Sequence, residues 1–271
     1  MNKLSFALLS AALLAGCVTS PTGRKQLMLI SPDSAIVESK KAYLSTMDDL
    51  ERQRKLVSDP AIVKRVQTIT GRLVTEAVTR YPNTRDWEWS VAIIDDIDTI
   101  NAWCMAGGRM AIYTGIISKL DLTDDEMAQI MGHEISHAIA NHTAERMSRA
   151  MAMNAGMVAA QVASGGNSAA LSGAALAAQV GLELPNSRTA ESEADRLGIE
   201  LASRAGYAPE AAVTLWQKMA KQGGGSGQPQ FLSTHPAPGN REKTLSGLVP
   251  EMKALNPQKK PAAVHPVSIV Q

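Results

Sequence analysis

The run Met131-Gly132-His133-Glu134-Ile135-Ser136-His137-Ala138-Ile139-Ala140 constrains this chain more than any other stretch. Residues four apart on a helix sit one turn above each other on the same face. His133 and His137 can therefore aim ring nitrogens at one metal ion, with Glu134 beside them at the edge of the same cavity. Zinc suits such a set, because it accepts imidazole and carboxylate ligands in a tetrahedral site and leaves one position open for water. A five-residue pattern arises by chance in unrelated helices, so the surrounding sequence has to decide.

The run has a helix-start signal upstream. Thr123 can cap the helix, and Glu126, three residues on, can close a capping box. Met127, Ile130, Met131, Glu134 and His137 then fall on adjacent positions of one inward face. If the histidines were only core residues bonded to carbonyls, Glu134 would be an unexplained charge in an apolar helix. A two-histidine zinc site needs a third ligand from another element. Thr189-Ala190-Glu191-Ser192-Glu193-Ala194-Asp195 brings acids to the start of a later helix. Glu191 and Asp195 share a face, which makes Glu191 the expected ligand and Asp195 the acceptor that orients a ligand imidazole. Glu193 points away and is the fallback ligand, and on the plainest reading all these acids only complement the helix dipole. His142 lies about 140° around a continuous helix from His137 and so off the ligand face. His265 is expected to be solvated.

The other segments read as anchor, scaffold and cleft. At 271 residues the chain can bury a sizeable core, and 45% hydrophobic with 20% charged residues is a globular composition. A net charge of +1 gives no electrostatic reason to expect nucleic acid. Lys3 followed by the apolar run Leu4 to Leu14 reads as a signal peptide, far short of the ~20 residues that span a bilayer. Leu14-Ala15-Gly16-Cys17 resembles a bacterial lipobox, so residues 1–16 would be removed and Cys17 lipidated. By resemblance to enterobacterial sorting signals, in which Asp after the cysteine keeps a lipoprotein at the inner membrane, Val18 implies the outer membrane, facing the periplasm. That leaves Cys104 without a partner, as a small buried hydrophobe.

Residues 17–32 read as a tether, 33–255 as the domain, and 256–271, rich in Pro and Lys, as a disordered tail. Two scaffold helices are expected, Ser34 to Lys55 and one opened by Asp59-Pro60 with the stripe Ile62, Val66, Ile69, Leu73 and Ala77. Trp87 to Ile94 alternates as a strand, and strands on either side of Gly107-Gly108 complete a small antiparallel sheet. Residues 144–182, rich in Ala, Met, Gly and Ser, form two apolar helical stretches expected to make a mobile flap beside the cleft. Gly223 to Gly227 is a flexible loop.

Four pieces together give a resemblance. Asn101-Ala102-Trp103 with Gly107-Gly108, His133-Glu134-Ile135-Ser136-His137, Ser187-Arg188 before Glu191-Ser192-Glu193-Ala194-Asp195, and Thr234-His235-Pro236 with Arg241 occur in order. The chain resembles the zinc metallopeptidases that include HtpX, the CAAX prenyl proteases and the Oma-type enzymes, most of all their periplasmic lipoprotein members. The resemblance implies an α+β, mainly helical, gluzincin-type fold with the small antiparallel sheet packed beside the His-Glu-x-x-His helix. It implies one Zn2+ per chain on His133, His137 and Glu191, with Glu134 as general base and Asp195 behind a ligand. His235 and Arg241 would lie near the cleft, where either could stabilise the oxyanion, or His235 could take the open metal position and silence the site. Asn101, Ala102, Trp103, Gly107 and Gly108 would bind substrate main chain by strand addition. Ala106 departs from the family, where Pro often precedes the paired glycines. The implied function is a metalloendopeptidase acting on unfolded or misfolded envelope proteins, held at the membrane by its lipid. The alternative is a periplasmic chaperone or adaptor for outer-membrane protein assembly with a mostly silent site. A prenyl-protein protease would need several membrane spans, which the sequence lacks.

Overall fold

Capping chemistry sets where the helices begin. Residues 17–179, 183–222, 229–236 and 239–271 are described by the computed structural model, so the expected signal peptide and the loop at 223–227 lie outside the described residues. In chain order the elements are β1 (Cys17–Thr19), β2 (Lys25–Leu27), α1 (Pro32–Arg52), α2 (Pro60–Arg80), β3 (Ser90–Ile94), β4 (Ala102–Met105), β5 (Arg109–Tyr113), α3 (Thr114–Lys119), α4 (Asp124–Ile139), α5 (His142–Ala163), α6 (Ser168–Ala178), α7 (Leu184–Arg204), α8 (Glu210–Gln222), α9 (Gln230–Thr234), α10 (Arg241–Leu255) and β6 (Ser268–Val270). Asp59 accepts from the backbone N–H groups of Ala61 and Ile62 and, with Pro60, starts α2. Thr123 and Glu126 form the expected capping box at the head of α4: the Glu126 N–H donates to Thr123 Oγ1 at 3.2 Å, and the Thr123 N–H to Glu126 Oε2 at 3.0 Å.

The four-stranded sheet runs in the order β4-β5-β3-β6. Only β4 and β5 are antiparallel, joined by the turn at Gly107 and Gly108; β3 is parallel to both β5 and β6. The sheet is thus mixed, because β5 returns from the turn into the gap between β4 and β3, leaving β4 at an edge. Both glycines have positive φ, +86° and +81°, and a Cβ on Gly108 would sit 2.5 Å from the Trp89 ring.

The last stretch departs from expectation. Residues 256–271 are not a disordered tail but an extended strap. The Ala262 N–H donates to Ala205 O at 3.1 Å, the His265 N–H to Gly71 O at 3.0 Å, and β6 pairs with β3. Pro disfavours helix, yet an extended backbone can bind in a groove, and Gly71 opens one: a Cβ there would lie 2.7 Å from His265 O. His265 is half-buried in this strap. The expected tether is likewise structured, as the hairpin β1-β2 packed by Arg24 and Gln26 against the root of α5.

α4 and α7 cross at a contact between glycines. A Cβ on Gly198 would fall 2.7 Å from the His133 backbone nitrogen, and one on Gly132 would fall 2.9 Å from Gly198 O. Only this close approach lets a side chain from α7 reach the histidines of α4. α5 and α6 instead project as a pair of helices with no buried residue in α6. Among the described residues no helix is long and apolar enough to cross a membrane.

Candidate metal centre

α4 presents His133 and His137 on one face, and α7 presents Glu191 opposite them. The two Nε2 atoms lie 3.0 Å apart, with Glu191 Oε2 3.3 Å from that of His133 and Glu191 Oε1 3.3 Å from that of His137. His235, just past α9, adds Nδ1 at 3.4 Å from His133 Nε2 and 3.2 Å from Glu191 Oε1. One donor atom from each of these four side chains lies within 4.8 Å of all the others, close enough to hold a metal ion. The donor chemistry fits zinc. Two imidazole edges face each other with a carboxylate between them, and Glu191 Oε2 is buried without a hydrogen bond. Glu134 Oε1 is also buried and unbonded, with its carboxylate aimed at the cleft and 3.4 Å from His235 Nε2.

Each electrostatic shift has a local cause. Burial disfavours the charged form of His133, but the Asp195 and Glu191 carboxylates outweigh it and push the pKa up to about 9. Burial holds His137 well below 6.5, reinforced by the neighbouring His133 and His142, so the pair divides its proton unequally. Burial opposes charge on Glu191 as well, yet contacts with His133, His137 and His235 keep it far below the usual carboxylate range. Glu134 moves the other way, raised by burial against the pull of His235 and His133. A carboxylate made more basic beside a cluster of metal donors is suited to taking a proton from water.

The remaining expected residues divide. Asp195 Oδ1 accepts from His133 Nδ1–H at 3.0 Å, where the shared face with Glu191 put it. Arg241 is near the centre but behind it, not in the cleft. Its guanidinium is paired with Asp195, lies 3.6 Å from Glu191 Oε2 and stacks 3.4 Å over the Trp216 ring. The expectation that Arg241 stabilises an oxyanion is therefore corrected: from behind the site it holds Asp195 and the ligand Glu191. Asn101, Ala102 and Trp103 line a cleft of about 480 Å³ together with Glu134, His137 and His235. Gly107 and Gly108 do not line it; they build the turn at the far end of β4, against Ile36 and Trp89.

Glu193 is not a ligand. It meets His142 Nε2 at 3.1 Å, and His142 Nδ1 lies 2.8 Å from His137 Nδ1. His142 is not a ligand either, but its place is not the one a continuous helix would give. α4 ends at Ile139, and Asn141, at φ 55°, turns left-handed and swings His142 back under His137. An Asn before a second helical run was the one sequence signal that such a break was there.

Comparison with known proteins agrees with this geometry. The family model described as peptidase family M48 matches residues 60–249. The chain is 29% identical over 245 residues to the bovine (Bos taurus) mitochondrial metalloendopeptidase OMA1, covering 86% of this chain and 46% of the relative. It is 30% identical over 207 residues to the β-barrel assembly-enhancing protease of Yersinia pestis, covering 73% and 41%. The Escherichia coli protein of that name is 28% identical over 195 residues, covering 69% and 38%. The chain spans about half the length of the curated relatives it matches first.

Proposed function

Since this chain belongs to peptidase family M48 and is a metallopeptidase, we propose that it is a zinc endopeptidase of the bacterial envelope that cuts unfolded or misfolded envelope proteins. One observation carries the chemistry: a buried, unbonded carboxylate oxygen of Glu134 beside a cluster of two Nε2 atoms and Glu191. His133, His137 and Glu191 would hold the ion. Zinc bound there supplies Lewis acidity and brings the pKa of a water toward ~7. Glu134 accepts the proton from the attacking water and returns it to the leaving amine. Asp195 holds the His133 ring by its Nδ1–H, and Arg241 keeps Asp195 and Glu191 in place. The free edge of β4 supplies backbone N–H and C=O groups for an extended substrate, which an unfolded chain can offer and a folded one cannot. His235 stands among the donor atoms and next to Glu134, which supports a shielding role that substrate must displace.

The envelope setting rests on the lipobox-like Leu14-Ala15-Gly16-Cys17 and on relatives whose names refer to β-barrel assembly. On this reading Cys17 carries the lipid and the domain faces the periplasm from the outer membrane. The test is incubation of the purified chain with unfolded envelope protein, with and without a chelator, followed by mapping of the products. Chelator-sensitive cuts in extended segments are expected. Cleavage indifferent to the chelator, or none under any metal loading, would overturn the proposal.

A further inference from the structure

Both ligand imidazoles need one nitrogen bare toward the metal and the other carrying a proton toward a fixed acceptor. His133 gets that acceptor directly, from Asp195. His137 does not. Its Nδ1 faces Nδ1 of His142 at 2.8 Å, and two ring nitrogens at that distance share one proton. The other end of His142 decides which one has it. Glu193 Oε2 lies 3.1 Å from His142 Nε2, and a carboxylate only accepts, so Nε2 carries a proton. With that proton on Nε2, the His142 Nδ1 is placed to accept, and His137 Nδ1–H donates to it. The lone pair of His137 Nε2 is left facing the donor cluster.

Glu193 is held in turn from the far end of the sequence. Thr22 Oγ1–H donates to Glu193 Oε1 at 2.6 Å and Arg24 Nε–H to Oε2 at 2.9 Å. The other side of the same guanidinium donates twice to Glu145, at 2.7 Å each, and Gln26 donates to Glu145 and to Ala140 O at 2.8 Å. Glu145, Glu193 and His142 are all buried, so this is an interior network and not a surface latch. Docking the hairpin would need only the Arg24–Glu145 pair. The insertion of His142 between Glu193 and a residue of the metal cluster is what docking alone does not require.

We propose that the N-terminal hairpin β1-β2 is a built part of the metal centre: through Thr22 and Arg24 it holds Glu193, Glu193 holds His142, and His142 sets the ring and the donor nitrogen of His137. His142 and Glu193 are positioning residues, and Arg24 is their clamp. The proposal rests on His137 being a ligand, which a His137→Ala control tests separately by its loss of zinc.

The experiment measures zinc affinity of the purified full chain against a chromophoric chelator, the visible spectrum of the cobalt-loaded protein, and the melting temperature of the metal-free form. His142→Ala and Glu193→Gln should bind zinc on the order of 10–100-fold more weakly and shift the cobalt bands. His142→Gln, whose amide can both accept from His137 and donate to Glu193, should recover much of the loss. Arg24→Ala should weaken zinc by a smaller factor, and Arg24→Ala combined with His142→Ala should bind no more weakly than His142→Ala alone, since Arg24 is joined to His137 through Glu193 and His142. Wild-type zinc affinity and cobalt spectrum in His142→Ala would overturn the proposal, as would losses in the double variant that add in full. Should His142→Ala not fold, Glu193→Gln alone decides: unchanged zinc affinity there refutes the relay. If His137→Ala keeps zinc, the ligand assignment has failed instead.

Discussion

The α4–α7 pair buries charge, whereas the α5–α6 pair exposes apolar surface. α4 and α7 enclose Glu126, His133, Glu134, Glu191, Glu193 and Asp195, each less than a tenth exposed. From Ala150 to Gln179 there is no charged residue, yet Met151, Val158, Val162 and Leu176 are 55–80% exposed and α6 buries nothing. A chain that only minimised its solvation energy would exchange these two patterns. The interior charges persist because each has a partner or a donor cluster to face, and a dry site strengthens every such contact. The exposed helices persist on local propensity, being rich in Ala, with Met in α5 and Leu in α6. Fold and chemistry thus centre on α4 and α7, joined by the buried root of α5 with His142 and Glu145, while the rest of α5 and all of α6 stand beside the cleft at little cost to either.

Glu134→Gln tests the charged side of that comparison and should have the largest effect. Cleavage of an unfolded substrate should fall by on the order of 10²–10⁴, while metal analysis still finds zinc and the melting temperature does not drop. Burial already raises the pKa of this carboxyl, so a neutral isostere removes a desolvation cost. Cleavage at the wild-type rate would mean that the assigned base is wrong.

Glycines break the comparison in opposite directions. A methyl on Gly198 meets the His133 backbone at 2.7 Å, while at Gly173 in α6 nothing lies within 4 Å. Gly198→Ala should cost about 1–3 kcal/mol through separation of the helices, read as a drop of several degrees in melting temperature. Gly173→Ala should instead stabilise by about 0.5–1 kcal/mol, since helical glycine has more freedom to lose. Equal shifts of the same sign would show that the two pairs are packed alike.

This contrast also explains how much could be read in advance. The capping box, the stripe of α2, the strand edge and the shared face of Glu191 and Asp195 follow from local periodicity, and the fold keeps them. Gly132 and Gly198 gave no such signal, because a helix-to-helix contact is a property of two distant segments. His142 and Glu193 stay out of the donor cluster as expected, but their contacts behind His137 were not legible for a related reason: one left-handed residue, Asn141, redirects everything after it. The tail was judged by composition, although an extended strap needs only backbone groups and a groove. Arg241 was placed by resemblance, which brought it to the right neighbourhood and the wrong side of the ligands.

Acid should separate the buried carboxylates, Glu126 on α4 and Glu145 at the root of α5, from the uncharged α6 more gently. Burial opposes charge on Glu126 and Glu145, but Lys218 and Thr123 at the first, and Arg24 and Gln26 at the second, hold both carboxyls below 4.5. A depressed carboxylate contributes stability above its unfolded pKa and loses it as pH falls through the folded value. Their contribution to the urea midpoint should therefore be constant above pH ~5 and decline below 4.5. Glu145→Gln should flatten that decline. α6, with nothing to titrate, should keep its helicity in a chain labelled there.

The smallest effect is expected where exposed apolar residues are made polar. Val162 is 80% and Leu176 65% exposed, so replacing each with Gln removes almost no buried area. Gln also has at least the helix propensity of Val and nearly that of Leu, which keeps the local term small. Val162→Gln with Leu176→Gln should change stability by less than about 0.5 kcal/mol and leave zinc affinity and cleavage of a short soluble peptide at wild-type values. A loss as large as that of Gly198→Ala would mean that these side chains pack inside the protein in solution. The α5–α6 pair would then be a second core and no longer the counterpart of the first.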